Sequence, residues 1–101
     1  MKRPFEYHEM TVRLSLEGIF EEETFYTWIL DETAVRKIDG WAKPRLNGSM
    51  DVFFAGGVNT IMDMLRLFAE NDVPVELSKV EERPVRGDEP IWQGFHYLPM
   101  A

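Results

Sequence analysis

The amino-acid sequence predicts an α+β domain in which two helices pack on one face of an antiparallel sheet, in the order β-α-β-β-α-β. Three observations lead to this fold class. Two stretches with apolar residues three or four positions apart are typical of amphipathic helices. Shorter stretches in which apolar and polar residues alternate are typical of half-buried strands. An Asn47-Gly48 pair between two such stretches indicates a hairpin.

The first half of the chain predicts a strand followed by a helix. Apolar and polar residues alternate over residues 11–16, which indicates a half-buried strand that ends before Gly18. A helix is expected over residues 22–37, because the acidic residues at its start suit the positive end of a helix dipole. Its core stripe is formed by Phe25, Trp28, Ile29 and Val35.

The middle of the chain predicts a hairpin between strands over residues 38–45 and 49–55. Asn47-Gly48 favours a type I′ turn, in which both central residues have positive φ. Alternate residues of the second strand should face the helices: Met50, Val52 and Phe54.

The last elements are a helix over residues 59–70, a strand over 75–82, a charged loop over 84–90 and a final strand over 91–98. Apolar residues at helical spacing define the inner face of this helix: Val58, Ile61, Met62, Leu65, Phe68 and Ala69. The element order is that of the split β-α-β, or ferredoxin-like, fold. It leaves one face of the sheet without helices, so we expect that face to be exposed or to bind something.

Length and hydrophobicity predict one domain over residues 1–101, with a tail over residues 1–9 and a core over residues 10–99. No apolar run reaches the roughly 18 residues that a membrane span needs. The basic residues near the start are not followed by the apolar stretch of a secretory signal. We therefore expect a cytoplasmic protein without membrane contact.

Composition excludes several kinds of chemistry. The chain has no cysteine, which excludes disulfides, thiol nucleophiles and Cys-ligated metals. Its two histidines, His8 and His96, are far apart and do not form a metal-site signature. We predict neither a metal nor a cofactor. The net charge of −7 opposes binding to nucleic acid.

Several local features occur at a joint spacing. In chain order they are Gly18 after the first strand, Phe25 at the head of the helix, Gly40-Trp41 in the second strand, Asn47-Gly48-Ser49 in the turn, Gly56 before the second helix and Gly94-Phe95 in the last strand. From about Val12 to Leu98 this pattern resembles the acylphosphatase family.

The resemblance implies a site for hydrolysis of a carboxyl-phosphate bond. Acylphosphatases cradle the phosphate with the backbone N–H groups of a glycine-rich loop that ends in Gly-Phe-Arg, and an asparagine orients the attacking water. The matching loop here is Gly18, Ile19, Phe20, Glu21, Glu22, Glu23, Thr24 and Phe25. Tyr26 stands in place of the arginine, and Pro44 in place of the asparagine. Tyrosine is neutral at pH 7, and proline has neither a polar side chain nor an N–H.

The three consecutive glutamates, Glu21 to Glu23, also oppose phosphate binding. A carboxylate about 5 Å from a phosphate charge costs roughly 3 kcal/mol at an effective dielectric of 20. We interpret these residues as acids that stabilise the start of the helix. A site for a cation or a basic partner is the alternative.

The sequence therefore predicts an acylphosphatase-like domain without catalytic residues, which serves as a binding or interaction module. The alternative is an acylphosphatase that hydrolyses small acyl phosphates through a shifted site. The cations for such a site would be Lys43 and Arg45, or Arg13.

The sheet face without helices is predicted to carry a basic and aromatic cluster: Arg13, Trp41, Lys43, Arg45 and Phe53. Aromatic and arginine side chains often carry protein contacts, so the expected occupant is an unknown protein partner or a second copy of the chain. Simple partial exposure is the alternative. The third strand lacks the glycine-aromatic pattern of RNA-recognition motifs, which argues against RNA.

Overall fold

Five strands and two helices form within residues 9–87, 89 and 91–99, the part of the chain that the computed structural model describes. In chain order they are β1 Met10–Ile19, α1 Glu22–Arg36, β2 Asp39–Pro44, β3 Met50–Gly56, α2 Val58–Ala69, β4 Glu76–Arg83 and β5 Phe95–Tyr97. Neither helix of this part is long and apolar enough to cross a membrane. Of the predicted tail only Glu9 is described, and His8 and Pro90 also lie outside the described residues.

The strands form one sheet in the order β4-β1-β3-β2-β5. The pairs β1–β4, β1–β3 and β2–β3 are antiparallel, as predicted. The pair β2–β5 is parallel, so the sheet is mixed, and a purely antiparallel sheet is the wrong prediction for this edge. The reason is the connection after β4, which takes the chain from one edge of the sheet to the other and enters β5 in the direction of β2.

The main core lies between the sheet and the two helices, which confirms the predicted placement of both helices on one face. Its buried residues include the predicted set Met50, Val52 and Phe54. The other members are Val12, Leu14, Leu16, Phe25, Ile29, Ile38, Ala42, Ile61, Met64, Phe68 and Val75.

The predicted stripes of both helices need correction. In α1, Val35 is exposed, and Thr33 takes the buried position because its Oγ1 donates a 2.7 Å hydrogen bond to the Ile29 carbonyl. In α2, Val58, Met62 and Ala69 are exposed, whereas Met64 is fully buried. The inner face of α2 is therefore narrower than predicted, and its buried residues are Ile61, Met64 and Phe68.

The hairpin between β2 and β3 is confirmed, but its predicted turn type is wrong. The only non-glycine residues in the described part with positive φ are Lys37 and Asn71, so Asn47 has no left-handed backbone. Gly48 alone supplies positive φ, at 89°. Its N–H donates to the Arg45 carbonyl at 3.0 Å, while Arg45 N–H donates to the Ser49 carbonyl at 2.9 Å. The loop thus has three residues, the hairpin length at which a glycine follows a tight turn.

Candidate functional site

The segment matched to the phosphate loop begins inside β1 instead of after it. The strand continues through Gly18 to Ile19, with a shift in its pairing to β4 between Glu17 and Gly18. A Cβ atom on Gly18 would lie 2.1 Å from the Glu76 carbonyl oxygen. The expectation that Gly18 ends the strand is therefore wrong, and the close approach of β4 requires a glycine here.

The start of α1 is capped by the chain's own carboxylate. Glu21 is the N-cap residue, and its Oε2 accepts a 2.8 Å hydrogen bond from the Thr24 N–H and another from the Thr24 hydroxyl. The Thr24 hydroxyl and then the Thr24 amide hold the pKa of Glu21 below its usual value. Glu22 and Glu23 follow in the first turn. An acid thus already occupies a helix N-terminus of the kind that binds anions.

The hydrophobic part of the loop packs on the core. Phe25 is fully buried, and the Phe20 ring meets it edge-on with centroids 5.3 Å apart. Ile19, in contrast, is 71% exposed. The phenylalanine shared with the family pattern therefore has a packing role here.

Tyr26 lies against Tyr97 of β5. The two ring centroids are 4.9 Å apart, and the rings are nearly perpendicular. Burial, together with the negative charge of Glu22, raises the pKa of Tyr97 to about 12. The Tyr97 hydroxyl oxygen is buried and has no hydrogen-bond partner within the described ranges. The family pattern in the sequence includes Gly94-Phe95 but does not indicate a role for Tyr97. The contact between Tyr97 and Tyr26 depends on the parallel pairing of β5 with β2.

Pro44 ends β2, where it is buried and lies opposite Met50 of β3. Strands β1, β2 and β5 run in the same direction, so their carboxyl ends and the start of α1 meet at one end of the sheet. The two positions matched to catalytic residues, Tyr26 and Pro44, therefore belong to the same end of the molecule, as the resemblance implies.

A cleft of about 490 Å³ opens at this end and is lined by Glu21, Glu22, Glu23, Tyr26 and Tyr97. The lining contains three acids and no basic side chain. Its electrostatics oppose an anion, since each carboxylate repels a phosphate at short range. Within the part of the chain that is described, no three His, Cys, Asp or Glu side chains are grouped so that they could hold a metal ion.

The predicted aromatic and basic face is largely covered. Trp41 and Phe53 stack with centroids 5.9 Å apart, and they are buried with Ala55 beneath Ile91 and Leu98. The expectation that Trp41 and Phe53 are exposed is wrong, because the segment that leads into and out of β5 packs on this face.

The basic residues of this face surround a buried acid that the sequence analysis did not single out. Asp51 Oδ2 lies 3.2 Å from a guanidinium nitrogen of Arg13 and 3.2 Å from one of Arg45. Lys43 is half-buried and lies opposite Asp51 in the β2–β3 pair. The two arginines therefore form ion pairs with Asp51. Strand alternation could have placed Asp51 on this face, because its neighbour Val52 points to the helices.

The chain is similar to known acylphosphatases in sequence and in fold. No family model matches the chain. An acylphosphatase from Nitrobacter winogradskyi is 23% identical over 78 residues, which are 77% of this chain and 79% of that protein. The crystal structure of acylphosphatase from Bacillus subtilis has a TM-score of 0.72 at 20% identity and covers 87% of this chain and 97% of its own.

Two further structures share the fold. An acylphosphatase from Coxiella burnetii has a TM-score of 0.74 at 15% identity, with 96% of this chain and 100% of that chain covered. Full-length HypF, in a phosphate- and nucleotide-bound form, matches 89% of this chain with a TM-score of 0.73 at 14% identity. The match is only 12% of the HypF chain, so the fold also occurs as one part of a longer protein.

These matches define the class of the protein as an α+β domain with the ferredoxin-like fold. More particularly, it is an acylphosphatase-like domain, and the resemblance predicted from the sequence is confirmed.

Proposed function

We propose that this acylphosphatase-like domain does not hydrolyse acyl phosphates and serves as a binding or interaction module. The observation that carries the proposal is the Glu21 carboxylate on the Thr24 amide at the start of α1. In the family this region presents free N–H groups to phosphate. Here a phosphate would have to displace a carboxylate that is already bonded and held in its charged form.

The two residues matched to catalytic positions support the proposal. A tyrosine hydroxyl, as at Tyr26, can donate only one hydrogen bond, whereas arginine offers a charged contact with two parallel hydrogen bonds. Pro44 is buried at the end of β2 and has neither a polar side chain nor an N–H with which to orient water. Phosphoryl chemistry depends on positioning and on charge stabilisation, and neither is provided by these side chains.

The alternative of a shifted active site has less support. Arg13 and Arg45 are engaged by Asp51, on the face of the sheet opposite the helices. The cleft beside α1 is lined by acids. A shifted site would need these arginines to leave a buried carboxylate unpaired, which is costly.

The test is hydrolysis of benzoyl phosphate, with the acylphosphatase from Bacillus subtilis as the active control. We expect a rate equal to that of buffer alone. A turnover number within the range of roughly 1–10³ s⁻¹ that is typical of enzymes would refute the proposal. Activity must survive a second purification step and must disappear on heat denaturation before it is assigned to this chain.

A further inference from the structure

Strand β4 forms a long, open edge of the sheet. It is the first strand in the order β4-β1-β3-β2-β5, and its only partner strand in the described part of the chain is β1. It spans eight residues, whereas β5 at the opposite edge spans three. An edge strand presents a row of backbone N–H and C=O groups that can pair with another strand. Edge β4 is therefore the place where the sheet can be extended.

The two faces of β4 differ in character. Val80 lies opposite Leu16 and so points to the helix side, yet it is 41% exposed, because the helices do not fully cover this edge. Lys79 and Glu81 lie opposite Glu17 and Ser15 and point to the other side. Charged residues on an edge usually prevent pairing, but charges of opposite sign permit pairing in a matching register.

Two-fold symmetry leaves few ways to pair β4 with a second copy of itself. An antiparallel pair related by a two-fold axis perpendicular to the sheet places one residue directly opposite its own copy. Lys79 on the axis would oppose lysine to lysine. Glu81 or Glu82 on the axis would oppose glutamate to glutamate. Val80 on the axis brings two partly exposed valines together and places Lys79 opposite Glu81 of the second copy, twice.

We propose that the domain forms a two-fold dimer through antiparallel pairing of β4 strands, with Val80 on the axis and Lys79 facing Glu81 of the second copy. The two sheets then continue as one sheet with both helix layers on the same side. This inference goes beyond the proposed function, because strand pairing does not depend on whether the chain hydrolyses acyl phosphates. The benzoyl phosphate assay and the association assay can fail independently.

The test uses two charge reversals, Lys79→Glu and Glu81→Lys, in sedimentation equilibrium over a wide concentration range. Each variant alone places like charges opposite each other at both sites, so each should dimerise at least about tenfold more weakly than wild type. An equimolar mixture of the two variants restores opposite charges across the interface. The mixture should therefore dimerise about as well as wild type.

Mixing separates contacts between copies from contacts within one chain. Within the chain, Lys79 Nζ lies 3.8 Å from Glu81, and Arg83 lies 2.8 Å from the same carboxylate. Each reversal removes the first of these pairs, and mixing cannot bring it back. Recovery of the dimer in the mixture thus reports only the contact between copies. Circular-dichroism melts of each variant check that the exposed substitutions leave the domain folded.

Glu82→Lys is the matched control, since it changes the charge by the same amount on the same strand. Its position faces the uncharged Ser78 of the second copy in the proposed register, so association should change by less than about twofold. A monomeric wild type at every concentration overturns the proposal. A dimer that is indifferent to both reversals, or that the mixture fails to restore, overturns it equally.

Discussion

Glu21 caps the start of α1, and in the proposed function the same contact prevents an anion from binding there. A side-chain cap satisfies an N–H group at a helix start that has no partner within the helix, and here the cap acts on the Thr24 amide. The family's arginine is one of several parts that must act together. Restoring the arginine alone, as Tyr26→Arg, therefore tests whether the other parts needed for catalysis are still present.

Tyr26→Arg alone should not produce benzoyl phosphate hydrolysis above the wild-type level. Glu21 would still occupy the start of α1, and Pro44 would still lack a polar side chain to orient water. Groups that act as a unit are non-additive. Steady-state assays of the single variant, with a melt to confirm folding, provide the measurement. Strong turnover would mean that the loop geometry remained competent and that the Glu21 cap does not block it.

Tyr97→Phe should raise the free energy of unfolding by about 1 kcal/mol at neutral pH, because it removes a buried hydroxyl that has no partner among the described residues. The advantage should grow in alkali. Unfolded tyrosine ionises near pH 10, whereas burial raises the pKa of folded Tyr97 to about 12. The wild type therefore loses the contribution of Tyr97 to its stability as the pH rises through this window, and the phenylalanine variant has no such contribution to lose.

Urea unfolding of both proteins at neutral pH and between these two pKa values provides the measurement. Tyr26→Phe is the control, since it removes the hydroxyl of the ring that packs against Tyr97 and leaves Tyr97 itself in place. A gap between Tyr97→Phe and wild type that stays constant with pH would show that Tyr97 does not govern the alkaline loss.

Some residue positions could be predicted from the sequence and others could not. Tyr26 and Pro44 were matched to the family's catalytic positions because the family pattern needs no gap between Gly18 and about Val80. Tyr97 was missed, because its contact with Tyr26 joins two distant parts of the chain. Asp51 was not singled out from the sequence, although two arginines bind it and it is 7% exposed.

At the scale of the elements, helix α2 shows what hydrophobic spacing can and cannot predict. The helical spacing of apolar residues correctly predicted the helix and the burial of Ile61 and Phe68. It could not choose between Met62 and Met64, because both are apolar and lie near the border of the same stripe. That choice depends on how the helix is rotated against β1 and β3.

Met64→Ala should destabilise the domain by about 2–5 kcal/mol, because it removes a fully buried side chain and leaves a cavity. Met62→Ala is the matched control on the same helix, and at 53% exposure it should change stability by less than about 0.5 kcal/mol. Denaturant melts of both variants decide the matter. Equal effects, or a larger effect of Met62, would mean that α2 is rotated away from this orientation.

At the scale of the whole molecule, both faces of the sheet are covered in part. The helices cover one face, and the chain around β5 covers Trp41 and Phe53 on the other. The sequence predicted which residues share that second face, because strand alternation is regular. It could not predict the cover, because the covering segment is mostly irregular and returns from the opposite edge of the sheet.

Trp41→Ala should therefore act on stability and not on a docking surface. Loss of this buried indole, which is 6% exposed, should cost about 3–5 kcal/mol. Trp92→Ala is the control from the covering chain, since Trp92 is 44% exposed and its loss should cost less than about 1 kcal/mol. An unchanged melt for Trp41→Ala, together with weaker association, would restore the idea of an open aromatic face.

The parallel docking of β5 also sets the order in which a newly made chain can complete its fold. Gly40 pairs with Phe95, and Ala42 pairs with Tyr97. The cluster of Trp41 and Phe53 therefore cannot be covered until these late residues are available. Ribosomes add about 5–20 residues per second, so Trp41 and Phe53 wait for several seconds before their cover arrives. During that interval the nascent chain exposes Trp41 and Phe53, and these apolar side chains are then accessible to a chaperone.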